Sequence, residues 1–127
     1  ILSKTIDSKS NLKTIIAPHN VDEASLRQVE LSFHKTVIRW SDLSQQKKED
    51  ADILLIDCVG ILTKIYSYAD IAYVGGGMGT TGLHNTLEPA TFGVPIVIGK
   101  NYKKFQTRYY TLPFINSFCL DWAIIQN

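Results

Sequence analysis

The chain has 127 residues, enough for one domain with a real core, and a formal net charge of +1. That balance excludes the global basic field of a nucleic-acid binder. No apolar run approaches the roughly 18 residues of a membrane helix, and no signal peptide is visible.

Leu2 to Ile6 fits either a helix or a loop, and Asp7 to Asn11 reads as a turn. Thr14 to Ala17 is a short apolar run closed by Pro18, which predicts a buried strand. His19 and Asn20 follow at its C-terminal end, the end at which open α/β sheets bind ligands. His19 therefore either lines a ligand edge or caps the next helix. Asp22 to Phe33 predicts that helix, with Ala24, Leu26, Val29, Leu31 and Phe33 as its apolar residues. Lys35 to Trp40 reads as a second strand, β-branched at its centre, and Ser41 to Asp50 as a polar surface connection.

Asp52 to Asp57 is continuously apolar inside and predicts a third strand. Asp57 to Gly60 is the turn that leaves it. Ile61, Leu62, Ile65, Tyr66 and Ala69 recur at helical spacing, so Ile61 to Tyr68 predicts a helix with one buried face. Ile71 to Val74 and Ile96 to Ile98 read as two further buried strands. Beyond them lie a basic, aromatic loop from Lys100 to Phe105, a possible helix from Gln106 to Leu112, and an apolar stretch from Phe114 to Ile125 that fits a last strand. Cys58 and Cys119 lie in apolar surroundings without metal spacing, and read as buried reduced thiols. Alternating strands and helices predict an α/β fold: a Rossmann-like parallel sheet with helices on both faces. One such sheet accounts for the chain, so residues 1–127 read as a single Rossmann-like domain.

Between Ile71–Val74 and Ile96–Ile98 lies the chemistry. Five glycines fall between Gly75 and Gly82. A loop so rich in glycine lets its backbone approach a ligand closely. It leads into a helix start, where free N–H groups and the helix dipole favour a phosphate. Gly77 to Gly82 satisfies G-x-G-x-x-G. A dinucleotide site also wants an acid at the end of the following strand, about 20 residues on. Here that strand ends in Ile98-Gly99-Lys100-Asn101, with no acid. Pro89 is tolerated only in a first helical turn, which places the helix start near Asn85 or Thr86 and sets Glu88 beside the glycine loop. Asn85 and Glu88, three apart, can face one side. A carboxylate there accepts two hydroxyls, such as those of a ribose, or simply complements the dipole. His84 suits a phosphate, a sugar acid or a supporting contact.

The string from Ala69 to Gly77, then His84 to Gly99, then Asn101 to Phe105, resembles the donor half of 3-deoxy-D-manno-octulosonic acid (Kdo) transferases, glycosyltransferases of the two-domain GT-B type. The family's His-Asn-x-Leu-Glu-Pro-x-x-Phe-Gly-x-Pro pattern is matched at His84, Asn85, Leu87, Glu88, Pro89, Phe92, Gly93 and Pro95, with the glycine pair at Gly75 and Gly76. Asp57, Gly60 and Leu62 resemble its Asp-Thr-x-Gly-x-Leu turn, and Pro18-His19 its Pro-Arg-His, without the arginine. The resemblance implies a CMP-Kdo donor, with Gly75, Gly76 and Gly77 near the donor phosphate and Glu88 on the ribose. It puts Asn85 and His84 in the donor pocket, and His19 and Gly60 on neighbouring loops. It implies a lipid A precursor as acceptor, in lipopolysaccharide biosynthesis at the cytoplasmic face of the bacterial inner membrane. The family's general base belongs to an N-terminal domain that this chain does not include. No catalytic residue, metal ligand or cofactor is therefore expected here, and the chain by itself is expected to be soluble, inactive and membrane-associated only through that other domain. Other expectations stay open: a GT-B enzyme or epimerase using a UDP-sugar, or a nucleotide-binding module without catalysis. The absent acid weighs against NAD.

Overall fold

The computed structural model describes residues 2–44, 50–75, 87–98 and 122–126. In chain order the elements are α1 (Leu2–Asp7), β1 (Lys13–Ala17), α2 (Glu23–Leu31), β2 (Val37–Arg39), β3 (Ile53–Leu55), α3 (Leu62–Ile65), β4 (Ile71–Val74), α4 (Leu87–Thr91), β5 (Ile96–Ile98) and β6 (Trp122–Gln126), with short 3-10 turns at Trp40–Asp42 and Tyr66–Tyr68. The six strands form one sheet in the order β2-β3-β1-β6-β4-β5. Every pairing in it is parallel.

A parallel sheet needs cover on both faces. Side chains alternate along each strand, so the core divides in two. Ile15, Ala17, Leu54, Ile56 and Ala72 pack with Ile65, Tyr66 and Val94 on one face. Ile16, Ile53 and Leu55 pack with Ile6 of α1 and Leu26 of α2 on the other. This is the doubly wound layer expected from the strand–helix alternation.

The structure corrects several boundaries. The strand read over Lys35 to Trp40 is only Val37–Arg39, because the backbone turns at Trp40 into a 3-10 helix. Helix α2 is shorter than read and buries only Leu26. Ala24 and Leu31 lie on its exposed side, Leu31 with 79% of its surface open. Asp22 accepts from the Ser25 N–H at 2.9 Å and so caps the helix. The helix read over Ile61 to Tyr68 tightens after Ile65 into a 3-10 turn. Strand β5 stands at the edge of the sheet, and Val97 is 45% exposed where a fully buried strand was expected. The last strand, Trp122–Gln126, lies in the middle of the sheet between β1 and β4.

Candidate functional site

All six strands point the same way, so the loops after β1, β3 and β4 leave from one edge. Strand order reverses there: β1 leads toward β2 on one side, and β4 leads toward β5 on the other. Such a switch point is where doubly wound sheets open a crevice. Here β6 occupies its floor, with Gln126 level with both Ala17 and Val74. Two strand spacings, about 10 Å, therefore separate the exits of β1 and β4.

Four of the eight candidate residues can be placed. His19 is exposed, two residues past the end of β1. Gly75 is buried, directly after β4. Gly60 is exposed in the loop after β3, with φ at +88°. A Cβ on Gly60 would meet nothing within 4 Å. Its glycine therefore serves the left-handed backbone and not a close approach; a side chain in that region costs roughly 1–2 kcal/mol. Glu88 lies half-buried in the first turn of α4. The chain enters α4 from the β4 exit, so Glu88 starts from the same edge. Gly76, Gly77, His84 and Asn85 lie outside the described residues, as do Lys100 to Phe105, the stretch Gln106 to Leu112, and Cys119.

Helix α4 is held at both ends of its short run. Pro89 is fully buried in the first turn, where its missing N–H costs nothing. At the other end Gly93 has φ at +69°, its N–H donates to Ala90 O at 3.0 Å, and the Val94 N–H donates to Pro89 O at 3.3 Å. That pair of bonds is a Schellman ending, which needs a glycine-like conformation at Gly93. Val94 then enters the core. The Glu88-x-x-x-x-Gly93-Val94 spacing thus reflects both a start and a stop.

Electrostatics at this edge are local. The Asp57 carboxylate accepts from Ser41, joining the exits of β3 and β2. Burial, and then the charge of Asp57, raise the Cys58 thiol, so it stays protonated at neutral pH. Cys58 is only partly buried, less than the sequence reading has it. Arg39, the last residue of β2, does not replace the family's missing arginine. It is bound bidentately to Glu23 at 2.7 and 2.8 Å and to Glu30 at 2.6 and 3.2 Å. Among the described residues no three metal-ligating side chains cluster.

Sequence reasoning missed Tyr66, taking it only as one apolar residue of a helix face. It is fully buried, and its ring lies against Phe92 with centroids 6.3 Å apart. Burial, and second the charge of Glu88, push its phenol well above the ordinary tyrosine range. A tyrosine at an interior helical position is the signal that could have shown it, since a buried phenol wants a polar neighbour.

The architecture is that of a Rossmann-like α/β layer with its candidate residues at the ligand edge, the form taken by the C-terminal half of a GT-B protein. It resembles the crystal structure of the C-terminal CMP-Kdo binding domain of WaaA from Acinetobacter baumannii, with a TM-score of 0.55 and 19% identity, over 84% of this chain and 72% of that one. In sequence the chain is 33% identical over 91 residues to the 3-deoxy-D-manno-octulosonic acid transferase of Aquifex aeolicus, covering 71% of this chain and 24% of the relative. It is 34% identical over 95 residues to that of Chlamydophila psittaci, covering 72% and 21%. A bifunctional glycosyltransferase/methyltransferase of Fusobacterium nucleatum is 34% identical over 92 residues, covering 71% and 14%. No family model matches. The chain is thus similar to Kdo transferases over about 70% of its length, and spans between 14% and 24% of the length of these relatives.

Proposed function

We propose that the chain is the donor-binding domain of a glycosyltransferase that moves Kdo from CMP-Kdo to a lipid A precursor. The observation that carries this reading is the gathering of His19, Gly60, Gly75 and Glu88 at one edge of a parallel sheet. It occurs in a chain whose sequence relatives are Kdo transferases. Glu88, an acceptor of several hydrogen bonds, takes the two ribose hydroxyls. The glycine loop opened by Gly75, with Gly76 and Gly77, admits the donor phosphate to main-chain N–H groups. His84 and Asn85 line the pocket beside Glu88, and His19 and Gly60 close it from the neighbouring loops.

On this reading residues 1–127 form one domain whose task is to bind and orient the donor. The general base and the acceptor site belong to a second domain. The whole protein works at the cytoplasmic face of the bacterial inner membrane. None of the described helices is long and apolar enough to cross a membrane.

Calorimetric titration of the chain with CMP, UMP and NADH tests the reading. CMP should bind weakly, since half a two-domain cleft buries less of the ligand. UMP should bind more weakly and NADH not at all. Glu88→Ala should abolish CMP binding. An unchanged CMP affinity in that variant removes the ribose role, and a preference for UMP favours a UDP-sugar enzyme instead.

A further inference from the structure

Tyr66 has no part in the reading above, yet its place in the fold bears on Glu88. Its side chain is fully buried between the sheet and α4 and belongs to the core cluster of Ile15, Ala72 and Val94. The ring meets Phe92 at 6.3 Å between centroids, with the planes inclined by 35°. Phe92 directly follows α4, and its N–H donates back to Pro89 O at 3.2 Å. It stands four residues after Glu88, one helical turn along the same side. Side chains on a helix lean toward its N-terminus, so the Phe92 ring leads back toward Glu88. Pro89, next to Glu88, is itself fully buried. The first turn of α4 is thus pressed onto the core where Tyr66 lies. Burial first, and the charge of Glu88 second, raise the phenol of Tyr66. Among the described residues the one buried side-chain oxygen without a partner is on Thr14, and the Tyr66 hydroxyl is not an orphan.

We propose that Tyr66 is a positioning residue: it seats α4 through Phe92 and fixes the direction in which Glu88 presents its carboxylate to the hydroxyls of the bound nucleotide. This rests on the ribose-holding role of Glu88 proposed above. A core tyrosine that only filled space would affect every ligand of the site alike. A tyrosine that aims Glu88 affects only ligands that carry the hydroxyls.

The test compares CMP with 2′,3′-dideoxy-CMP by calorimetry on the full chain. The unaltered protein should favour CMP by about tenfold, the worth of hydrogen bonds to a carboxylate. Phe92→Leu, at a half-exposed position, removes the ring contact with Tyr66. It should leave dideoxy-CMP binding as it was and bring the ratio of affinities toward one. Tyr66→Phe keeps the ring and its contact with Phe92, and should keep the ratio. A ratio kept in Phe92→Leu overturns the proposal, as does a proportional loss for both ligands. Should Phe92→Leu fail to fold, Phe92→Met removes the same ring and is read the same way. Glu88→Ala separates the two claims. If it keeps the ratio, the ribose role itself fails. If it abolishes the ratio while Phe92→Leu keeps it, only the positioning role fails.

Discussion

Ser41 fastens Asp57 at the ligand edge of the sheet. The Ser41 main-chain N–H donates to one carboxylate oxygen at 3.2 Å, and its hydroxyl donates to the other. Ser41 belongs to the 3-10 turn after β2, and Asp57 stands two residues past β3. One carboxylate therefore joins two adjacent strand exits, and does so three residues ahead of Gly60. In the sequence Asp57 opens the turn that resembles the family's Asp-Thr-x-Gly-x-Leu pattern. In the structure its carboxylate is already engaged, and its work is to hold that turn in place.

Asp57→Ala should accordingly lower stability by about 1 kcal/mol, a modest value because Ser41 is exposed and its groups can turn to water. The Gly60 loop loses its tether, so CMP affinity should fall as well. Urea unfolding followed by circular dichroism reads the first effect, and calorimetry reads the second. Asp57→Asn keeps an acceptor for Ser41 and should fall between the variant and the unaltered chain. A midpoint that does not move in Asp57→Ala would contradict the tether.

Three carboxylates share one direction of shift. Asp7 is lowered chiefly by its hydrogen bond with the His34 side chain. Asp22 is lowered by the Ser25 hydroxyl and N–H that it caps, and Glu23 by the Arg39 guanidinium. Each folded-state value lies below the unfolded one, so each contribution is complete above the unfolded carboxylate range. It is lost as pH falls through the lower folded values. Stability should thus be level from near-neutral pH down to about 4.5, then decline below about 4. Urea midpoints measured across that range should show the decline. The double variant Asp7→Asn, Glu23→Gln should flatten it, and a decline of unchanged slope would assign the acid sensitivity to other groups.

How much of this was legible in the sequence follows from how local each signal is. Strand β4 was read to the residue because Ile71 to Val74 is apolar between polar or glycine neighbours, and Pro89 dated the start of α4 because one turn alone tolerates it. Trp40 misled, since a β-prone side chain says nothing about where Ser41 turns the backbone toward Asp57. The central place of β6 was not legible at all. Sheet order is a matter of long-range pairing, and nothing in Trp122–Gln126 names β1 and β4 as its neighbours. The same holds for Tyr66, whose spacing announced a buried face but not that Phe92 would lie against its ring. At the candidate site, the end of β1 placed His19 at the sheet edge and the glycine run placed Gly75 after β4, because in a parallel sheet all exits share one edge, whereas only the resemblance pointed to Gly60.

Thr14 offers a sharper test of the core itself. It is fully buried on β1, level with Ile53 of β3 and Ala123 of β6. Its main-chain N–H donates to Asp52 O at 3.0 Å, but among the described residues its hydroxyl is the one buried side-chain oxygen with no partner. Alternation along β1 turns it to the same face as Ile16, the side covered by Ile6 and Leu26. A buried hydroxyl without a bond forfeits its hydration and recovers nothing. Thr14→Val keeps the shape, keeps the β-branch and replaces the hydroxyl with a methyl group. It should raise stability by about 1 kcal/mol, or the melting temperature by about 3–5 °C for a domain of this size. Thr14→Ser makes the opposite change, keeping the orphan and deleting the methyl, and should lower stability by about 1 kcal/mol. If Thr14→Val is the destabilising variant of the two, the hydroxyl has a bonding partner in the folded protein, and the apolar character assigned to this face of β1 is wrong at that position.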